Sequence, residues 1–267
     1  MTLTVLTWNL NHWRQSAASR AAAWEHLDRV LAEAVDWDVA LLQECAVPDT
    51  WPHPVLWSGV DTLGWGTAVT ARRGTLRPVA LEDDSHPGCI VAAELTLDGA
   101  VPSVTVASLY GRQEHAKQVD GERYPLSYAV TAVHRMLSDL TPLVDHRSRR
   151  QRPSPLVLAG DLNVSTQIGG PDRARHAGTL QRFTDLGLTD GWSVSPDAER
   201  APDCDCPAAP GCGHVRTHRH NRSERPWQLD YVFANRALRF TSCRTVVDDA
   251  TWELSDHAPV VARLEVV

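Results

Sequence analysis

Short apolar runs of strand length recur along this chain, and the helical patterns between them are too few to alternate with them one by one. Residues 2–8 and 38–42 read as strands flanking a helix over 19–35. In that helix Trp24, Leu27, Leu31 and Ala34 form one apolar stripe at spacings of 3, 4 and 3. Segments near 64–71, 75–81, 89–97 and 103–109 follow as consecutive strands broken at Gly, Asp and Pro. A second helix is expected over 126–146, where Leu126, Val130, Val133, Leu137, Leu140 and Val144 keep a 4-3-4-3-4 rhythm. Next come a strand at 155–159, a helix near 173–186 and an irregular stretch at 193–226 rich in Pro, Cys, His and Arg. Strands near 227–234, 238–247 and 258–266 close the chain. Strand groups interrupted by helices, without regular βαβ alternation, predict sheets packed on each other with helices outside.

At 267 residues, 43% hydrophobic and 22% charged, the chain reads as one domain with its own core, needing neither disulfide nor metal to fold. The formal net charge is -7 and the pI about 5.9. That is not the overall basic footprint of a protein that grips nucleic acid mainly through charge. Met1 leads straight into a strand-like run, with none of the pattern of a secretory leader. No stretch approaches about 18 uninterrupted apolar residues. A cytoplasmic location without stable membrane association is the expectation, and the sequence points to no protein partner.

Several strands end in hard oxygen donors. TWNLN places Asn9 just past Trp8, DVALLQE ends in Glu44, and PLVLAGDLN ends in Asp161 and Asn163, which point the same way if extended geometry persists. WQLDYVF sets Asp230 inside an otherwise apolar strand, and Asp256–His257 immediately precede the terminal strand. Taken singly, an Asn or Asp at a strand end is an ordinary turn residue or helix cap, and a lone His is ordinarily structural. Asp230 resists that reading, because burying a carboxylate without a partner is costly. A chemical reading covers the whole set: clustered oxygen ligands suit Mg²⁺ or Mn²⁺, and a His held by an Asp suits charge stabilisation on a phosphoryl group.

The ordered set TWNLN, QE, SLYG, GDLN, LDYVF and SDHAPV, spanning residues 7 to 260, resembles the endonuclease/exonuclease/phosphatase superfamily. That group includes AP endonucleases, pancreatic-type deoxyribonucleases, sphingomyelinases and inositol polyphosphate phosphatases. The resemblance implies an α/β fold, a four-layered α/β/β/α sandwich, with the site at one end of two packed sheets. It also implies Glu44 as principal metal ligand, with Asn9 and Asp256 completing the metal neighbourhood. Asp161 would orient and deprotonate the attacking water, and Asn163 would hydrogen-bond the phosphate. His257, oriented by Asp230, would donate to a phosphoryl oxygen. Tyr110 falls where members carry His or Tyr against the phosphate or leaving group. The implied reaction is in-line displacement by water at phosphorus, with a phosphodiester, in DNA or RNA, as substrate.

Loops set substrate choice. The arginine-rich run 146–152 precedes the strand whose far end presents Asp161, which puts it at the wrong end for the site. Arg112, Arg173 and Arg175 are better placed as substrate contacts. In the irregular stretch, Cys204, Cys206, Cys212 and His214 form C-x-C-x5-C-x-H, with His218 and His220 close by. Three thiols and an imidazole match a structural zinc site in ligand type; thiols without a partner, and then a disulfide, are the other readings. His218 and His220 stand as substrate contacts in that scheme. Net acidity keeps a small phosphate ester (a nucleotide, inositol phosphate or lipid headgroup) open beside nucleic acid. A catalytically silent binding module is the non-enzymatic alternative, although Glu44, Asp161 and His257 are all present.

Overall fold

The computed structural model describes residues 1–59, 64–81, 87–97, 102–112, 118–119, 122–123, 128–144, 153–170, 172–195, 201, 204, 206, 212–219 and 226–267. In chain order the first strands are β1 (Thr2–Asn9), β2 (Val39–Cys45), β3 (Val55–Gly59), β4 (Gly66–Ala71), β5 (Thr75–Pro78), β6 (Ile90–Thr96) and β7 (Val104–Tyr110). A short ribbon, β8 (Gln118–Val119) and β9 (Glu122–Arg123), precedes β10 (Leu156–Asp161) and β11 (Leu188–Asp190). A second ribbon of β12 (His218–Arg219) and β13 (Pro226–Trp227) leads to β14 (Asp230–Asn235), β15 (Leu238–Thr245) and β16 (Val260–Val266). The helices are α1 (Ala17–Glu25), α2 (Ala32–Val35), α3 (Tyr128–Asp139), α4 (Asp172–Asp185), α5 (Gly191–Val194) and α6 (Asp249–Leu254).

Two mixed six-stranded sheets, ordered β15-β16-β1-β2-β4-β3 and β11-β14-β10-β7-β6-β5, pack on each other with helices outside, a four-layered α/β sandwich. Strand alternation sorts the layers. Leu3 and Val5 of β1 join Val106, Val157 and Val232 of the other sheet in the main core. Leu6 and Trp8 face the opposite way and join Trp24, Leu27, Leu31 and Trp37 in a separate apolar layer. Among the described residues no helix is long and apolar enough to cross a membrane.

The expected helix over 19–35 begins earlier, at Ala17, where the Ser16 side chain caps it by accepting from the Ser19 N–H. Its stripe also changes register. Trp24, Leu27 and Leu31 are buried, but Ala34 is exposed and Ala32 and Val35 face inward instead. The turn His26–Leu31 is π-helical and rotates less per residue, so the buried face lags and falls one position later. The second helix stops at Asp139, and a 3₁₀ turn, Thr141–Leu143, follows with Pro142 in its first turn. Val130, Val133, Leu137, Leu140 and Val144 are buried as expected. Leu126 and the run 146–152 lie outside the described residues. The edge strands β3 and β11 are additions to the sequence reading, and β2 and β10 run further than expected, through Glu44 and Asp161.

One glycine makes the close pairing beside the site feasible. A Cβ built on Gly160, at φ +153°, would lie 1.8 Å from the carbonyl oxygen of Leu109 in β7. The Cβ position is fixed by the β10 backbone and the oxygen belongs to the backbone of paired β7, so no side-chain rotation relieves the clash. Gly160→Ala is therefore expected to cost more than about 2 kcal/mol, read as a lower urea midpoint at unchanged slope. An unaltered midpoint would contradict this close pairing of β10 with β7.

Candidate active site

The second sheet delivers three polar residues in one row. In the parallel β10–β7 register Asp161 lies opposite Tyr110, and in the antiparallel β10–β14 register it lies opposite Asp230. By alternation from Ser108, which reaches β2, this row faces the first sheet. Neighbouring carboxylates on one sheet face repel. His257 answers both of them: its Nδ1 is 2.9 Å from Asp230 Oδ2, and its Nε2 is 3.8 Å from Asp161 Oδ2.

The first sheet contributes Asn9 and Glu44. Asn9 ends β1, and its side-chain amide donates to Asp161 Oδ2 at 2.9 Å and to Glu44 Oε1 at 3.2 Å. Gln43 already faces the second sheet, donating to Ser108 Oγ at 2.8 Å, so strict alternation would turn Glu44 toward the helices. It does not, because Glu44 adopts φ +47° where the β2–β4 register shifts between Leu42 and Cys45. This irregularity turns Glu44 into the cleft and puts Cys45 in the helix-side layer beside Leu42. There the Tyr110 hydroxyl donates to Glu44 Oε1 at 2.6 Å.

Loops complete the cluster. Asn163, at φ +51°, donates its backbone N–H to Asp161 Oδ1 at 2.8 Å and its amide to Oδ2 at 3.0 Å. Asp256 Oδ1 accepts from the Asn11 amide at 2.8 Å, and the Asn11 N–H donates to Asn9 Oδ1 at 2.9 Å. Ser255 Oγ donates to the Asn9 carbonyl at 2.7 Å and accepts from the His257 N–H at 3.1 Å. The Trp8 indole donates to the His257 carbonyl at 2.9 Å. His218 stands beside His257 with ring centroids 4.6 Å apart, and the Arg219 N–H donates to the Asp256 carbonyl at 2.8 Å.

Asn9, Glu44, Tyr110, Asp161, Asn163, Asp230, Asp256, His257 and His218 thus meet at one end of the packed sheets. Cys204, Cys206, Cys212 and His214 meet in a second cluster nearby in the chain, with ligand atoms all within 4.8 Å of one another. Among the described residues no side-chain hydrogen bond or ion pair joins Arg112, Arg173 or Arg175 to the first cluster; Arg175 pairs instead with Asp172 on α4. His220 lies outside the described residues. Sequence reasoning missed Asn11, Trp8, Ser255 and Thr217. The first three sit inside the motifs themselves, while Thr217, whose Oγ1 accepts from the N–H groups of Leu229 and Asp230, carries no sequence signal.

Electrostatics follow from burial. Burial pushes the Asp161 carboxyl up, to about 7, with the Asp230 charge adding to the rise, while His257 and the Asn163 and Asn9 donors oppose it. Burial works to lower the His257 pKa, but Asp230, Asp161 and Asp256 together outweigh it and hold the imidazolium up to about 10. Burial likewise raises Glu44 against the pull of the Tyr110 and Asn9 hydrogen bonds, and nearby Asp256 adds to the rise. Glu44 Oε2 is buried with no hydrogen-bond partner. An orphan carboxylate oxygen beside a second carboxylate fits a hard divalent cation, so Glu44, Asn9 and Asp256 form a credible Mg²⁺ or Mn²⁺ donor set.

The Endonuclease/Exonuclease/phosphatase family matches residues 6–257 of the chain. No curated protein matches it in sequence. Among solved structures it is similar to the AP endonuclease LMAP from Leishmania major, with TM-score 0.67 and 16% identity over 99% of this chain and 88% of that one. It is also similar to the 3'-5' exonuclease NExo from Neisseria meningitidis, with TM-score 0.63 and 21% identity over 97% and 98% of the two chains. A D. rerio TDP2 humanized by 14 mutations gives TM-score 0.60 and 13% identity over 99% of each chain. At these identities the likeness is one of fold.

Because Asp230 raises the His257 pKa both by charge and by hydrogen bond, Asp230→Asn is expected to lower it by more than a unit, about a tenfold change in the protonation equilibrium. An NMR titration of the imidazole, assigned against His257→Gln, measures this. An unchanged midpoint would contradict the pairing.

Proposed function

Since the chain belongs to the Endonuclease/Exonuclease/phosphatase family, we propose that it hydrolyses phosphodiester bonds in nucleic acid by in-line attack of water. The observation that carries this reading is the convergence of Glu44, Asp161 and the His257–Asp230 pair on one cleft end. Glu44, Asn9 and Asp256 would hold the divalent ion, which when bound would supply Lewis-acid neutralisation of charge on a phosphoryl oxygen. Asp161, steadied from two sides by Asn9 and Asn163, orients the water and accepts its proton. His257, kept protonated and oriented by Asp230, donates Nε2–H to a phosphoryl oxygen as negative charge concentrates there. Tyr110 and Asn163 border the same space, Tyr110 toward the leaving group and Asn163 toward the phosphate. His218 forms the adjoining wall.

Nucleic acid is favoured as substrate because two of the similar folds are named for nucleases. One observation favours a small phosphate ester instead: the net charge of -7, which one divalent ion moves only to -5 (-7 + 2). The assembled donor set argues against a silent binding module, since such a module has no need to keep a buried carboxylate oxygen unpartnered.

Mn²⁺-dependent incision of an abasic-site duplex by purified protein tests the proposal, with Asp161→Ala as contamination control. Incision by the wild type alone is expected. Failure on DNA and RNA, with turnover of a nucleotide or inositol phosphate, would shift the substrate class; no turnover of any phosphate ester would sink the enzymatic reading. His257→Ala should slow the chemical step by about 10²–10³, and near-wild-type turnover would remove His257 from the mechanism. The pH profile carries signs of its own. Asp161 must be ionised, so activity should rise with pH through its midpoint, about 7 without the divalent ion and lower with that positive charge beside it. His257 must be protonated, so activity should fall only as pH approaches about 10. Loss of activity as pH rises through about 6.5, the ordinary histidine midpoint, would contradict this, because the imidazolium would then be lost well below about 10.

A further inference from the structure

The Cys/His cluster lies outside the site just described and has its own chemistry. Cys204 Sγ stands 3.5 Å from His214 Nδ1. A tetrahedral ion with arms of about 2.3 Å to sulfur and about 2.0 Å to nitrogen holds those two atoms about 3.5 Å apart. Cys206 and Cys212 present their sulfurs to the same point, all four ligand atoms lying within 4.8 Å of one another. The short C-x-C spacing therefore does not keep its two thiols apart.

The surroundings resemble those of a ligating imidazole. His214 is buried, and its Nε2 lies 2.7 Å from Thr166 Oγ1; when Nε2–H donates to that hydroxyl, the Nδ1 lone pair is left toward the sulfurs, as in a ligating imidazole held through its other nitrogen. Gln167 donates its amide to Cys204 Sγ at 3.4 Å and is itself fixed, its Oε1 accepting from the Gln228 N–H at 2.7 Å. Soft thiolates with one imidazole select Zn²⁺, whereas the oxygen donors at Glu44 suit Mg²⁺ or Mn²⁺, so ligand type sorts two ions between two sites.

We propose that Cys204, Cys206, Cys212 and His214 bind one structural Zn²⁺ that fastens the loop after β10 to the segment forming the wall of the cleft. Thr166 and Gln167 lie just beyond Asn163 in that loop. From His214 the chain runs to Val215, whose N–H donates to Gln228 Oε1 at 2.9 Å. Thr217 follows, bonded to the N–H groups of Leu229 and Asp230, and then His218 beside His257. Metal on the four ligands thus ties together both strands that carry Asp161 and Asp230, and it sets the wall without touching substrate. This inference is independent of the reaction assigned above, because its readout is the metal itself.

The experiment measures zinc by mass spectrometry in full-length protein purified under reducing conditions, and records the absorption of the Co²⁺-substituted form. One zinc per chain, with the charge-transfer bands of thiolate-bound tetrahedral cobalt, is expected in the wild type. Cys204→Ser and His214→Ala should lose the zinc and melt several degrees lower, while Glu44→Gln should keep it. Zinc well below one per chain after reconstitution, with no thiolate-to-cobalt band, would overturn the proposal. So would zinc retained by a folded Cys204→Ser protein and lost by Glu44→Gln. Should a variant not fold, the wild-type cobalt spectrum decides alone, since bands of three-thiolate intensity at one ion per chain match the three sulfurs gathered here with His214 among the described residues.

Discussion

Two buried carboxylates on adjacent strands, Asp161 and Asp230, share one imidazolium, His257, which sits against both of them. Everything else at the cleft end serves that arrangement. The imidazole is held by its own backbone, through the Trp8 indole and the Ser255 hydroxyl, and those same groups belong to β1 and to the loop before β16. The charge balance of the second sheet is thereby anchored on the first. Breaking a buried pair of this kind by removing one partner leaves an uncompensated charge, which is far more destabilising than losing a surface ion pair. The geometry of the polar cluster and the docking of the two sheets therefore rest on the same contacts.

A second constraint is directional. Strand alternation alone would bring Asn9, Tyr110, Asp161 and Asp230 to the face between the sheets, but it would send Glu44 the other way. The positive φ at Glu44 and the local loss of register against β4 reverse it. Backbone strain at this residue is thus linked to the position of an oxygen that no protein group satisfies. A cation there would relieve both the orphaned oxygen and the repulsion from Asp256. Strain, burial and an unfilled hydrogen-bonding valence meet at one carboxylate, and the metal-ligand role proposed for Glu44 rests on them.

Much of this was legible from the sequence, for identifiable reasons. Short apolar runs followed by Asn, Asp or Glu placed the strands, although β2 and β10 run further than expected, and a carboxylate within the apolar run around Asp230 demanded a partner. The direction of Glu44 was not legible, since a bulge depends on the pairing partner as much as on the strand that carries it. Nor was the π-helical turn that moves the buried face from Ala34 to Val35, because apolar spacing of 3 and 4 fits both registers. Asn11 and Ser255 stand inside the motifs, but their bonds to Asp256 and to the Asn9 carbonyl join opposite ends of the chain and could not be paired from the sequence, and Thr217 carries no signal at all. His218 was legible as a residue in an irregular stretch, and only the fold sets it beside His257.

The central claim is that the two sheet ends make a single site charged by a hard divalent cation at Glu44. Calorimetric titration of Mn²⁺ into the zinc-loaded wild type and into Glu44→Gln addresses it without relying on turnover or on knowing the substrate. The account predicts that the wild type binds Mn²⁺ and that the variant binds at least about tenfold more weakly, a difference of about 1.4 kcal/mol or more. Equal Mn²⁺ affinity in the two proteins, both folded, would contradict it.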